Sequence, residues 1–323
     1  MRVLVTGGAG FIGSQLCKAL LSRGDEVTVL DNFSSASRDN LQEIPSRKKI
    51  NIVIGDCKNR RDIRRALAGT QTVYHLAANP AVRLEHSDPS TCFQENAYAT
   101  HVLLDEIRKE DVNSVVFTSS STVYGDARLL PTPESYGPFE PISYYGASKL
   151  ASEALVSAFS YTYGITGVIL RLANIIGPRS KHGIINDLLA QIKNRPRRLR
   201  VLGDGRQIKS YLYIDDCISG ILHSVQFSQE SLNVLNIGSS DQIEVKAIAG
   251  IILAESGMQN LTIVFTGGTA EGRGWNGDVK NMLLDVSKLR SKGWRPKYSS
   301  EEAIRMTVRS ALNKLPLPTT KPA

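Results

Sequence analysis

Cysteine is scarce in this chain of 323 residues, and the few present do not cluster. Cys17, Cys57, Cys92 and Cys217 form no CxxC pair, and no two lie closer together than Cys57 and Cys92. This rules against a disulfide scaffold and a zinc-site spacing, and it suits a reducing cytoplasm. The histidines at 75, 86, 101, 182 and 223 also lack metal-ligand spacing, so no metal is expected. No apolar run reaches the ~18 residues of a membrane span. The opening MRVLVTG enters an apolar strand directly, without the features of a signal peptide. There is no internal repeat. The densest basic cluster, RPRRLR at 195–200, lacks the interleaved aromatics of a single-strand groove. The net charge of +8 therefore reads as a solvated face near an anionic substrate, not as a nucleic-acid surface.

Hydrophobic residues make up 41% of the chain and charged residues 22%, enough to bury a sizeable core. In the first half, RVLVTG, EVTVLD, NIVIGD, TVYHLAA and SVVFTSS are short Val/Ile-rich runs ending in small or polar residues. Between them lie helix-like segments: IGSQLCKALLSRG, RDIRRALAG and NAYATHVLLDEIRKE. This alternation predicts an α/β fold, a Rossmann-type doubly wound parallel sheet. KLASEALVSAFSYTYG continues as a helix and GVILRLANIIGP as a strand. RQIKSYLYIDD and VLNIGSS look like returns to the main sheet. IEVKAIAGIILAESG is an amphipathic helix, LTIVFTGG a strand and GTAEGRGWNGD a glycine-rich loop. The expected division is a dinucleotide-binding domain over 1–178, with returning segments about 207–240. A smaller α/β substrate domain takes 179–206 and 241–315, and a disordered tail takes 316–323.

TGGAGFIG follows the first strand. Gly8, Gly10 and Gly13 satisfy G-x-G-x-x-G; Gly7, Gly10 and Gly13 satisfy G-x-x-G-x-x-G. Such glycines permit a tight turn and let backbone approach a pyrophosphate at the following helix. Asp31 ends the second strand, 18 positions past Gly13. A carboxylate there accepts bonds from ribose hydroxyls and repels a 2′-phosphate, favouring NAD over NADP. Asp31 could also cap a helix, as could Asn32 and Ser34. Asp56 is a candidate for the adenine amino group or a cap for RRDIRRALAG. Leu76, Ala77 and Ala78 leave room for a cofactor, or simply pack.

SYYGASK at 143–149 offers two tyrosines and a lysine. On a helix over 144–160, Tyr145 and Lys149 share a face, whereas Tyr144 points about 140° away from the lysine. Tyr145 is therefore the candidate base. A nearby ammonium would lower its pKa, and the phenolate could take a proton from a substrate hydroxyl. FTSSSTVYG at 117–125 offers several hydroxyls to share that proton.

TGGAGFIG, DNFS, HLAAN, SSSTVYG, YGASK, LRLANIIGP and the late NGD loop occur in this order. Together they resemble the extended short-chain dehydrogenase/reductase family, and within it the UDP-glucose (UDP-galactose) 4-epimerases, from residue 1 to about 300. The resemblance implies a tightly held NAD and a UDP-hexose substrate, with Tyr145 as base, Lys149 as its partner and Ser120 as the third group. The implied cofactor set is Gly7, Gly10, Phe11, Ile12 and Gly13; Asp31, Asn32, Phe33, Ser34 and Ser35; Asp56 and Cys57; Leu76, Ala77 and Ala78; and Asn96 and Thr118, with Tyr145 and Lys149. On the substrate side it implies Asn174, Val201, Leu202, Gln207, Lys209, Arg273 and Asp278, beside Ser120 and Tyr145. Relatives often carry Arg where Lys209 stands, and Arg-x-x-Asp where Arg273 and Asp278 are five apart. The family's 4,6-dehydratases carry an Asp-Glu pair before VYG, and its decarboxylases a Glu. SSST stands here, so both absences favour epimerisation. The alternatives are epimerases of UDP-N-acetylhexosamine or UDP-glucuronate, a net oxidoreductase, and a silent NAD-binding regulator. Met282, four past Asp278, does not decide among the sugars. As in relatives, helices at 94–110 and 149–163 could form a homodimer interface.

Overall fold

The computed structural model describes residues 1–42, 44, 50–80, 88–194, 197–226, 230–269 and 271–313. The expected disordered tail at 316–323 and Arg195–Pro196 of the basic cluster lie outside the described residues.

Seven strands form the main sheet: β1 (Arg2–Thr6), β2 (Glu26–Asp31), β3 (Ile50–Ile54), β4 (Thr72–His75), β5 (Ser114–Ser120), β6 (Thr166–Leu172) and β7 (Leu232–Ile237). Their order is β7-β6-β5-β4-β1-β2-β3, and every neighbouring pair is parallel. This is the doubly wound architecture expected from the strand–helix alternation. Side chains alternate between two cores. Val3, Val5, Val29 and Val116 enter one, and Leu4, Leu30, Val115 and Phe117 enter the other. Burial on both faces is why these strands read as continuous apolar runs rather than as alternating ones.

The strand order reverses between β1 and β4, which opens a crevice at their carboxyl ends. His75 ends β4 there. Its ring is held between the Thr6 and Thr100 hydroxyls at 2.7 and 2.9 Å. Burial lowers its pKa to about 3, so it stays neutral.

The connecting helices include α1 (Phe11–Ser22), α2 (Arg60–Leu67), α3 (Ala99–Ile107) and α4 (Tyr144–Tyr163). Asn59 caps α2, its side chain accepting from Arg61 N–H and Asp62 N–H at 2.9 and 3.4 Å. The cap role open to Asp56 therefore falls to Asn59. The helix expected over 96–110 begins as a π-helical turn, Phe93–Tyr98, and α3 ends at Ile107.

Beyond β6 the chain builds small sheets. Asn174–Ile176 pairs with Tyr211–Tyr213, and Arg198–Val201 with Thr262–Phe265. Ile208–Lys209 lies between Ile243–Glu244 and Asn281–Met282. Of the segments expected to return to the main sheet, only Leu232–Ile237 does so. The stretch around Ile208–Tyr213 is broken at Ser210 into pieces of two and three residues. Both pieces are taken up by other partners, Ile208–Lys209 by Ile243–Glu244 and Asn281–Met282 and Tyr211–Tyr213 by Asn174–Ile176, while β7 pairs along β6. Replacing Asn59 with Ala is expected to cost about 1 kcal/mol of stability in denaturant unfolding, the usual cost of a lost cap.

Candidate active site

A cavity of about 1250 Å³ runs along the carboxyl ends of β1, β2, β4, β5 and β6 and on to the small sheets. Single-ligand pockets usually span about 300–1,000 Å³. This one has room for a dinucleotide and a second ligand end to end.

The glycine turn forms one wall. Gly10 N–H donates to Gly7 O at 3.0 Å, and Ser14 N–H to Gly10 O at 3.0 Å, which starts α1. A Cβ on Gly13 would sit 2.2 Å from Gly7 O. One on Gly7, at φ +66°, would sit 2.8 Å from Ala77 N. Only glycine allows this approach, and the amino end of α1 is left facing the cavity with Phe11 and Ile12. That cradle fits the pyrophosphate of a dinucleotide. Asp31 is buried and caps no helix; its carboxylate accepts from Ala9 N–H at 2.9 Å and Phe33 N–H at 2.8 Å. It ties the glycine turn to the loop after β2 and lines the cavity. Asn32 donates to Asp56 at 3.0 Å and accepts from Ser34 N–H at 3.0 Å. Asn32, Ser34, Ser35, Asp56 and Cys57 line the same end, and Leu76, Ala77 and Ala78 the middle.

Phe33 and Asn96, named as cofactor contacts, do not line this cavity. Phe33 packs against the core with the Arg38 guanidinium 5.5 Å over its ring. Asn96 is buried, accepting from Asn79 N–H at 2.8 Å and donating to the Ser148 hydroxyl at 2.9 Å.

The start of α4 sorts the two tyrosines. Ser143 caps the helix by accepting from Gly146 N–H at 3.0 Å. A Cβ on Gly146 would lie 2.7 Å from Thr122 O, so α4 packs directly on the turn after β5. Tyr144 is left 53% exposed, while Tyr145 and Lys149 line the cavity with Thr118, Ser120 and Thr122. Ser120 accepts from Thr122 N–H and the Thr122 hydroxyl at 3.2 and 3.0 Å. Lys149 is buried; its ammonium donates to Thr118 O at 2.8 Å and stands 4.7 Å from the centre of the Phe117 ring. Burial lowers its pKa to about 8, against an opposing pull from Glu153. Burial pushes Tyr145 up to about 12, and a bond with Ser120 offsets this in part. The lowering expected from Lys149 does not act on the phenol here: loss of water around it is the dominant effect, and the ammonium is engaged by Thr118.

On the other side, Asn174 lines the cavity and donates to Ser210 O at 3.0 Å. Val201, Leu202, Gln207, Lys209 and Asp278 line it too. Gln207 is buried and donates to Leu202 O at 3.4 Å; its Oε1 has no partner among the described residues. Lys209 is paired with Asp278, whose other oxygen accepts from Gly274 N–H at 3.1 Å. Arg273 is off the lining. Its guanidinium pairs with Asp126 at 2.8 Å and Glu271 at 2.5 Å, and it donates to Asp278 O at 2.8 Å. In this loop its guanidinium faces Asp126 and Glu271 rather than the cavity. Trp275, beside Lys209, also lines the wall. Nothing in its sequence context marked it beyond a place in the glycine-rich loop.

Asp31→Ala removes both an acceptor for the ribose and the brace on the glycine turn. We expect NAD affinity to fall about tenfold or more, as for a lost bond to a charged group. The NADP-to-NAD affinity ratio should rise, as read by calorimetric titration of each cofactor; an unchanged ratio counts against the assigned contact.

The NAD-dependent epimerase/dehydratase family model matches residues 3–238. A putative UDP-glucose 4-epimerase from Methanocaldococcus jannaschii is 30% identical over 311 residues, covering 95% of this chain and 97% of the relative. A crystal structure of a UDP-galactose 4-epimerase is 38% identical, covers 98% of this chain and 100% of that one, and superposes with a TM-score of 0.85. The Thermus thermophilus UDP-glucose 4-epimerase in complex with NAD is 30% identical, covers 98% and 100%, and gives 0.82. With the glycine cradle, the acid after β2 and the Tyr145–Lys149 face in one cavity, the chain belongs to the NAD-dependent epimerase/dehydratase family, a nucleotide-sugar enzyme family with NAD as its cofactor.

Proposed function

We propose that this chain is a UDP-hexose 4-epimerase interconverting UDP-glucose and UDP-galactose through a transient 4-keto sugar. The observation that carries the reading is the wall beside Tyr145. From Thr118 to Thr122 it presents hydroxyls and no carboxylate. A second acid or base for removing water from the sugar, or for losing its carboxyl, has no counterpart there. The cofactor, when bound, supplies a reversible two-electron acceptor at sugar C4.

The chain's own residues do the rest. Tyr145 takes the proton of the sugar's 4-hydroxyl and returns it after the sugar has turned over. Ser120, on the same stretch of lining as the phenol, passes that proton along. Lys149 supports the phenolate and holds the ribose of the nicotinamide half. Gly7, Gly10 and Gly13 seat the pyrophosphate, and Asp31 holds the adenosine ribose. Asn174, Val201, Leu202, Gln207, Lys209 and Asp278 hold the uridine diphosphate. Arg273 reaches the phosphate only by leaving Asp126.

Met282 is buried and lines the cavity with Trp275 and Asp278, and a flexible thioether there tolerates sugars of different bulk. UDP-N-acetylhexosamines and UDP-glucuronate are therefore the runner-up substrates. Helix faces carrying exposed Phe93, Tyr98, Tyr161 and Tyr163 support a homodimer, to be checked by light scattering. The free, buried thiols of all four cysteines fit a cytoplasmic enzyme. No helix among the described residues is long and apolar enough to cross a membrane.

Purified protein incubated with UDP-galactose and no added NAD should form UDP-glucose without accumulating NADH. Stoichiometric NADH points instead to a net dehydrogenase, and conversion of another sugar in a UDP-sugar panel reassigns the substrate. Tyr145→Phe should retain NAD yet lose turnover by about 10²–10⁴-fold, the usual worth of a general base. Near-normal turnover in that variant refutes the assigned base.

A further inference from the structure

Tyr145, Lys149 and Glu153 recur at intervals of four on α4, so all three share one face. Lys149, Glu153 and Arg171 are all buried, at 3%, 5% and 4% exposure. Glu153 lies between the other two. One oxygen accepts the Ser119 hydroxyl at 2.5 Å and Arg171 Nε at 3.0 Å; the other accepts Arg171 Nη2 at 2.7 Å. Arg171, on β6, also donates to the Tyr124 hydroxyl at 2.9 Å and to Glu134 O at 3.1 Å. Tyr124 donates onward to Asn236 on β7 at 2.8 Å. The guanidinium lies over the rings of Tyr124 and Phe139, 4.8 and 4.7 Å from their centres. The network joins α4, the end of β5, β6 and β7 behind the cavity wall.

Groups around Lys149 come from several elements packed on α4. From α4 come Tyr145 and Glu153. From β4 comes His75, held neutral by burial. From β5 come the Thr118 carbonyl and the Phe117 ring. From β6 comes Arg171, its charge taken up by Glu153. Glu153, one turn along the same face of α4 and ion-paired with Arg171, is thus the buried carboxylate whose charge opposes the effect of burial on the ammonium.

We propose that Glu153 is a positioning residue for the Tyr145–Lys149 pair: it keeps the ammonium of Lys149 charged and fixes Ser119 beside Ser120, while Arg171 moderates the charge that the lysine feels. The proposal rests on the Tyr145–Lys149 reading of the site. Burial already draws Lys149 down to about 8, and Glu153 opposes that pull. A lysine that must stay protonated loses function as pH rises through its pKa. Removing the carboxylate charge therefore moves that loss to lower pH.

The test uses the NAD-loaded full chain and two readouts. The first is turnover against pH, on whichever panel sugar the wild type converts. The second is the Lys149 side-chain carbon resonance followed from neutral to alkaline pH, which reports the titration whether or not any sugar turns over. Glu153→Gln should lower both midpoints by about one pH unit, the shift from one charge a few ångströms away, with kcat falling more than KM changes. Because that variant strands a buried guanidinium, the double variant E153Q/R171M is made alongside. It should recover most of the wild-type Tm while its midpoints stay below wild type and above the single variant. Unmoved midpoints in Glu153→Gln, or a double variant whose midpoints return to the wild-type values together with its Tm, overturn the proposal and leave Glu153 a stability group only. A wild type that converts no sugar overturns the proposed function instead, and the lysine titration still judges Glu153.

Discussion

The bond from the Lys149 ammonium to the Thr118 carbonyl, at 2.8 Å, is what the active-site wall depends on. A buried ammonium is expensive unless its protons find partners and its charge a counterion. Here the partner is the Thr118 carbonyl at the end of β5, and the nearest buried carboxylate on the same helix face, Glu153, is already paired with Arg171, so the cost is offset only when α4 lies across the carboxyl end of β5. Gly146 permits that approach, since any side chain there would meet Thr122 O. The same burial acts on both titratable groups. It lifts Tyr145 to about 12 and lowers Lys149 to about 8, in each case favouring the uncharged form. The protein alone therefore holds the phenol protonated. Only added positive charge beside it makes the phenolate accessible near neutral pH.

Much of the sheet was legible from sequence because a parallel strand buried on both faces reads as an apolar run, as β1, β2, β4, β5 and β6 do, while β3, at the sheet edge, is apolar yet leaves Ile52 and Ile54 exposed. The Tyr145–Lys149 face was legible because helical spacing is arithmetic. Glu153 obeys the same arithmetic at the next turn, but an acid on a helix is ordinarily a solvated residue. Nothing in the sequence marks it as buried until β6 brings Arg171 against it. Ile208–Tyr213 misled for the opposite reason. Its apolar alternation is a true strand signal, but which sheet a short strand joins depends on partners far along the chain, at Asn174–Ile176 and Asn281–Met282. Phe33 and Asn96 sit next to lining residues in sequence, yet the chain turns them into the core and onto Asn79 and Ser148.

Two of the cations at the substrate end are already paired with acids. Lys209 is paired with Asp278, and Arg273 with Asp126 and Glu271. Asp126 follows the VYG segment directly, so the ion pair with Arg273 joins the late glycine-rich loop to the turn after β5. A diphosphate arriving there competes with carboxylates already in place, and its gain is the difference between two charge-assisted sets of bonds rather than the whole of one. Net charge read from composition overstates the pull on an anion wherever acids have been folded in beside the bases.

The cavity is unevenly lined, and the unevenness bears on what it can do. Its cofactor end is defined by backbone: glycines that admit no side chain, and a carboxylate whose oxygens are held by two backbone N–H groups. Its far end offers amides, an ion pair and apolar side chains. Between them, beside Tyr145, stand short hydroxyl side chains that fix little volume and bind weakly to any one face of a sugar. Turning a sugar over without releasing it requires that the nucleotide be held far more tightly than the hexose. On the proposed 4-epimerase reading, a wall of small hydroxyls between two firmly built ends suits that requirement, because short side chains leave space for either face to be presented in turn.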